Sequence, residues 1–291
     1  MEKDLVSVII PTYKRCDTLI RAINSVLNQS YEKIEVIVVD DNEPNSEESN
    51  LVKERLKRYV NNKKVKYISQ EKHINGAVAR NIGIKKSQGK YIAFLDDDDE
   101  WNSQKIEHQM KYMIKNNLDG VSCLYDIKNK NKLIRKCMPY NNKNLHKKVI
   151  SRQVSIFTST ILLKRNILDI TGYFDERLIR HQDLQLLLDY LYEHQIGVLN
   201  EYLVTLHSDS EINHPDIYKM IKIKKDFFNI CHKHLEKYSI KEQKNILAAH
   251  YFEIILISLK NKKILLAIKY LLKIGFNLSA YQEVISRYKN R

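Results

Sequence analysis

Two short apolar runs rich in β-branched residues, Val6-Ser7-Val8-Ile9-Ile10 and Val36-Ile37-Val38-Val39, each close on a polar cluster: Pro11-Thr12-Tyr13 and Asp40-Asp41-Asn42. Unbroken runs of this length suit strands buried on both faces. Between them Leu19, Ile20, Ile23, Val26 and Leu27 recur at spacings of three and four, which predicts a helix over 17–29 capped by Asp17 or Thr18. The alternation continues with a helix over 47–60, a strand over 65–69, a helix over 77–87 and a strand over 91–95. Strand and helix in regular turn predict an α/β fold with a central, mostly parallel sheet flanked by helices on both faces. Ligands of such sheets bind beyond the carboxyl ends of the strands, where the two polar clusters and the acidic run Asp96-Asp97-Asp98-Asp99 fall.

Beyond Trp101 the pattern gives a helix over 103–115, then a lysine- and asparagine-rich stretch over 128–148 that reads as a mobile connection. Strand-like order resumes over 154–163, followed by a helix over 182–194 and two strands over 197–200 and 203–207. From residue 216 the pattern is helical, with apolar runs over 254–257 and 264–268. These shifts predict an α/β domain over 1–210 and a basic helical C-terminal region over 211–291.

Composition agrees with a folded chain: 43% of the 291 residues are hydrophobic and 29% charged. The net charge of +14 is uneven, since residues 211–291 hold 16 Lys or Arg against 7 Asp or Glu. Cys16, Cys123, Cys137 and Cys231 have no metal-binding spacing and read as free thiols. The apolar run near the N-terminus is too short for a signal peptide, and no stretch is long enough for a transmembrane helix. A cytoplasmic protein is expected.

Four adjacent carboxylates at a strand end repel and raise one another's proton affinity, and a bound cation relieves this. Mn²⁺ or Mg²⁺ suits such oxygen ligands, completing its shell with phosphate oxygens. An acidic turn in water, or a helix N-terminus stabilised by its dipole, accounts for the run equally well. Seven glycines, none in a GxGxxG or GxxxxGK[ST] arrangement, disfavour an NAD enzyme or a P-loop kinase.

The stretches Asn75-Gly76-Ala77-Val78-Ala79-Arg80-Asn81-Ile82-Gly83 and Gly89 to Trp101, the latter carrying the four aspartates, resemble the central signature of the family 2 glycosyltransferases with the GT-A fold. Upstream, Val8 to Arg15 and Val36 to Asn42 resemble that family's nucleotide-binding half; downstream, Gly172-Tyr173-Phe174-Asp175-Glu176 with Gln182-Asp183 is similar to its acceptor-side motif. The resemblance covers residues 5–210. It implies an inverting, metal-dependent transferase taking a nucleotide-sugar donor, UDP-linked by preference, and a glycan or lipid-linked acceptor in surface polysaccharide assembly. Pro11, Tyr13 and Asp41 would contact the base, Arg80 would hold the donor, Asp96 and Asp97 would face the ribose or diphosphate, and Asp98 would ligate the metal, with the register open by one residue. Asp183 would be the general base. The family's usual Glu-Asp is Gln182-Asp183 here, which removes a negative charge beside the base and lowers its pKa relative to such a pair.

His207 stands where relatives carry a histidine near the diphosphate, and could complete the metal shell or be a surface residue. His232 and His234 are two apart, too close for a shared zinc on a helix, and are expected to be solvated. The C-terminal segment mixes apolar residues with lysines. It could lie on an anionic membrane as a peripheral helix, or pack on the core or on another copy in an oligomer. Two other functions compete. A nucleotidyltransferase of related fold would normally carry a glycine-rich N-terminal loop, which 11–15 lacks. A non-catalytic basic protein would bind nucleic acid in a salt-sensitive way without metal; no nucleic-acid partner is expected.

Overall fold

The computed structural model describes residues 4–61, 63–130, 132–208, 216–277 and 281. The boundary expected near residue 210 lies outside them.

The first half follows the predicted alternation: β1 (Val6–Thr12), α1 (Cys16–Leu27), β2 (Ile34–Asp40), α2 (Glu47–Asn61), β3 (Val65–Ser69), α3 (Gly76–Lys86) and β4 (Tyr91–Phe94). β1 pairs in parallel with β2 and with β4, and β2 with β3, so their carboxyl ends share one edge. Alternate residues of β1 serve opposite covering layers: Val6, Val8 and Ile10 pack with α1 and α2, while Ile9 packs with Ala77 and Ile84 of α3. Gly83 is the point of closest approach, because a Cβ there would stand 2.4 Å from Ile9 Cγ2. Pro11 costs no ladder bond: it faces the β4 side, where pairing has already ended at Ile9 and Phe94.

The second half is β5 (Glu100–Trp101), α4 (Lys105–Lys115), β6 (Gly120–Asn129), β7 (Lys132–Lys136), α5 (Leu145–Ile150), a 3₁₀ turn (Thr158–Thr160), β8 (Ile161–Lys164), α6 (Arg165–Thr171), α7 (Gln182–Tyr190) and β9 (Ile196–His207). The nine strands of the described residues form one sheet in the order β3-β2-β1-β4-β8-β6-β9-β5, with β7 on β6. The sheet is mixed rather than wholly parallel, since β8 runs antiparallel to both β4 and β6.

Three expectations need correction. The stretch over 128–148 is not a mobile connection: it contains the end of β6, its antiparallel partner β7 and most of α5. Its lysines face outward from a hairpin edge, so the polar pattern concealed ordered backbone. The two strands expected over 197–207 are one, β9, whose register on β6 shifts at Cys123/Leu124 and Leu124/Tyr125; that irregularity accommodates the polar break at Asn200 and Glu201. Helix α1 begins at Cys16, after Arg15, and neither Asp17 nor Thr18 caps it.

The C-terminal helices are α8 (Ile217–Ile230), α9 (His232–Glu236), α10 (Ile240–Lys260) and α11 (Ile264–Ile274). Phe227, Cys231 and Ile246 enter the same hydrophobic cluster as Leu145, Val149 and Leu187, so α8 to α10 share a core with α5 and α7. His234 corrects a further expectation. It is fully buried, with Nε2 3.1 Å from Asp189 Oδ1 and Nδ1 3.1 Å from His146 Nε2. His232 is exposed, as expected.

Candidate active site

The carboxyl ends of β1, β2 and β4 place three groups of side chains at one sheet edge. At the end of β2 the two aspartates divide their work. Asp40 is fully buried and accepts hydrogen bonds from Asn42, Ser49 and Tyr67, which fixes the turn. Asp41 accepts from Gln70 Nε2 (2.7 Å) and Ile74 N (3.0 Å) and lies 3.0 Å from His73 Nδ1. Burial raises its pKa, opposed by the Ile74 N–H and by His73. The His73 ring stacks on Tyr13 at 4.0 Å and 17° between planes, and Tyr13 remains 37% exposed. An exposed aromatic face beside a buried carboxylate can hold a planar heterocycle with N–H donors. Sequence reasoning found Tyr13 and Asp41 but not His73, which sits in a loop with no periodicity to mark it. Pro11 is buried in β1 directly before this group.

The acidic run turns sharply after β4, with Asp99 N donating to Asp96 O. Its four carboxylates have four environments. Asp97 points back to β1, accepting from Thr12 Oγ1 (2.8 Å) and Tyr13 N (3.3 Å), with Arg15 Nη1 3.3 Å away. Burial and the charge of Asp98 push its pKa up to about 7. Asp99 is buried and accepts from Ser159 Oγ at 2.6 Å. Asp98 keeps 17% of its side chain exposed and meets Arg15 at 2.5 Å; Asp96 keeps 33% exposed and meets Arg80 at 2.5 Å. Two of the four carboxylates thus serve the turn, and two face the cleft against arginines. Arg15 and Ser159 were not singled out from sequence, because their roles arise only when distant segments meet.

Among the described residues no three His, Cys, Asp or Glu side chains are grouped to hold a metal by themselves. One or two cleft-facing carboxylates match the way Mg²⁺ or Mn²⁺ is held jointly by protein and phosphate oxygens. The residues therefore fit a divalent cation shared with a diphosphate, and they do not fit an all-protein cage. His207 ends β9 with Nε2 3.2 Å from Glu100 Oε2, beside the acidic turn.

The acceptor-side motif closes over α3. Asn81 donates to Phe174 O and Glu176 Oε1 and accepts from Phe174 N, while Gly172, at φ 95°, makes the turn that lets Phe174 reach the core. Arg80 spans the two halves, with Nη1 3.4 Å from Gln182 Oε1 and Nη2 on Asp96. Asp183 follows in the first turn of α7, half-buried. Burial raises its pKa, and Arg152, the Leu184 N–H and Arg80 oppose that shift. The folded pKa of Asp183 thus lies above the ordinary carboxylate value, and Gln182 beside it adds no charge. His181, which precedes α7 two residues before this carboxylate, has left-handed backbone at φ 64°.

Residues 7–174 match the family description "Glycosyl transferase family 2". The chain belongs to glycosyl transferase family 2 and is a glycosyltransferase. Its fold is that of the GT-A enzymes: the TarS 1–349 structure from S. aureus in complex with UDP-GlcNAc superposes with a TM-score of 0.68 at 18% identity, covering 98% of this chain and 89% of that one. Among sequences, the UDP-Glc:alpha-D-GlcNAc-diphosphoundecaprenol beta-1,3-glucosyltransferase WfgD of Escherichia coli is 30% identical over 200 residues, 69% of this chain and 75% of that protein. The amylovoran biosynthesis glycosyltransferase AmsB of Erwinia amylovora is 32% identical over 189 residues, 62% of each. An uncharacterized glycosyltransferase of Rickettsia bellii is 46% identical over 112 residues, but these span only 15% of that protein. No helix of the described residues is long and apolar enough to cross a membrane.

Proposed function

We propose that the chain transfers one sugar, with inversion, from a nucleoside diphosphate, UDP by preference, to a hydroxyl of a glycan or lipid-linked oligosaccharide in surface polysaccharide assembly. The observation that carries this reading is the bridge made by Arg80. It joins Asp96 of the acidic turn to Gln182, the residue before Asp183, and so links the donor side to a half-buried carboxylate. UDP and polysaccharide assembly are supported by the relatives' names.

In this reading Tyr13, Asp41 and Pro11 seat the base, with His73 stacked behind Tyr13. Asp96, Arg80 and Asp97 orient the ribose and diphosphate, the last through Thr12 and Arg15. Asp98, with His207 nearby, would hold Mn²⁺ or Mg²⁺, whose charge stabilises the departing nucleoside diphosphate. Asp183 accepts the proton of the acceptor hydroxyl as its oxygen bonds to the anomeric carbon and the bond from that carbon to the phosphate oxygen breaks. Residues 1–210 carry the catalytic groups, and the basic region 211–291, whose helices α8 to α10 pack on them, brings the enzyme to the cytoplasmic face of a membrane. Calorimetry of UDP-, GDP- and dTDP-sugars against the full chain tests the donor. UDP-sugars are expected to bind in Mn²⁺ and not in chelator, and failure of all three with Mn²⁺ overturns the reading.

A further inference from the structure

A cavity of about 460 Å³ lies between the β6–β7 hairpin and the segment after α5. Four cations line it, Arg135, Lys136, Lys148 and Arg152, and no carboxylate does. Among the described residues only Arg152 of the four is ion-paired, to Glu253. Lys148 donates to Asn141 O (3.1 Å) and Asn141 Oδ1 (2.7 Å), which aims its ammonium without neutralising it. Burial and the charge of Lys143 lower its pKa, as expected of a cation held in an electropositive place. Aromatic side chains complete the wall: Phe157 and Tyr125 meet edge to face at 5.0 Å, and the Tyr140 hydroxyl lies 3.0 Å from Ser122 Oγ.

The cavity adjoins the catalytic carboxylates through two of its own residues. Phe157 precedes Thr158, whose hydroxyl donates to Asp96 at 3.3 Å. Arg152 acts electrostatically on Asp183. A larger cavity, about 610 Å³ beside the N-terminus of α5 and the end of α7, lies toward the opposite edge of the sheet; there Lys147 is already paired with Glu242.

We propose that the cation-lined cavity seats the acceptor, and that this acceptor carries a phosphate or diphosphate close to the sugar whose hydroxyl is glycosylated. The aromatic wall takes the sugar ring, and Arg135 and Lys148 take the phosphate, the ligand that arginine and lysine together suit best. This rests on the transferase reading above and names the acceptor class for it. A free phosphopolymer and a lipid-borne diphosphate share the recognised group.

Phenyl phosphate tests the seat on the full chain at low salt in chelator, where metal-dependent donor binding is absent. It is expected to bind, while uncharged phenyl glucoside does not. Arg135→Ala and Lys148→Ala should each raise its Kd about tenfold, the loss of one charge-assisted hydrogen bond, and Lys148→Arg should restore it. Arg135 is exposed on β7, so its replacement leaves the core intact, and an unchanged melting temperature checks this for each variant. Competition by a soluble glycerol phosphate oligomer and by dodecyl phosphate in neutral micelles then separates polymer from lipid. No binding of phenyl phosphate, or equal Kd in wild type and variants, overturns the proposal. If the seat behaves as expected but no nucleotide sugar binds in Mn²⁺, the seat stands and its assignment to an acceptor falls with the transferase reading.

Discussion

At the scale of single residues, the cleft separates two kinds of carboxylate by burial and partner. In the proposed reading Asp98 would hold the metal and Asp183 would take the acceptor's proton, a role that its raised pKa favours. Asp98→Ala is expected to abolish Mn²⁺-dependent transfer and donor hydrolysis. Asp183→Asn keeps shape and hydrogen bonding but cannot accept a proton, so UDP affinity should persist while kcat falls at least ~100-fold. Because the folded pKa of Asp183 lies above its ordinary value, the wild-type rate should decline in acid as the base protonates, and the residual rate of the variant should lack that limb. A variant turning over at the wild-type rate removes Asp183 from the mechanism. The residues legible in sequence were those inside ordered motifs. His73, Arg15 and Ser159 were not, since a loop histidine stacked on Tyr13, or a serine holding Asp99 across sixty residues, has no local pattern to announce it.

At the scale of elements, periodicity located β1 to β4 and the helices between them because their apolar faces are buried on both sides of the sheet. It failed over 128–148, where β7 is an exposed edge strand whose five residues all face solvent, so no alternation was imposed on the sequence. Two elements make testable demands. Helix α3 crosses β1 at Gly83, and Gly83→Ala should cost about 1–3 kcal/mol in denaturant unfolding because Ile9 has nowhere to move. A cost below the error of the measurement would mean that the helix rides free of the strand. Helix α11 shows the opposite condition. Ile264, Leu265, Ile268, Leu271 and Leu272 form one exposed apolar stripe, flanked by Lys269 and Lys273. Such a face suits the interface of an anionic bilayer. Full-length protein should float with anionic vesicles, and Leu265→Glu with Leu272→Glu should stay in solution; equal flotation removes α11 from membrane contact.

At the scale of the whole molecule, the α/β half and the C-terminal helices meet at buried histidines. His250 donates from Nε2 to Ile150 O, which leaves Nδ1 to accept from Lys224 Nζ at 3.2 Å. A second proton would point at an ammonium. His146 accepts from the Tyr238 hydroxyl at 2.6 Å and passes its other N–H to His234, which donates in turn to Asp189. Burial lowers the pKa of His146 to about 3 and that of His181 and His250 well below 6.5. The sign of the linkage follows. Below about pH 6.5 the unfolded chain takes up protons at these sites while the folded chain does not, so stability is full above that pH and declines as pH falls toward the folded values. Melting temperature should therefore drop between pH 7 and 5, with hydrogen exchange rising first in α8 and α10. His250→Gln can still donate to Ile150 O and accept from Lys224, yet has no proton to gain, so its melting curve should depend less on pH than the wild type. Parallel curves would place the acid sensitivity elsewhere. The same contacts bear on what the sequence left open about the C-terminal region, membrane contact or packing on the core: α8 to α10 pack on the core, and Lys224, only 4% exposed, is paired with Glu253.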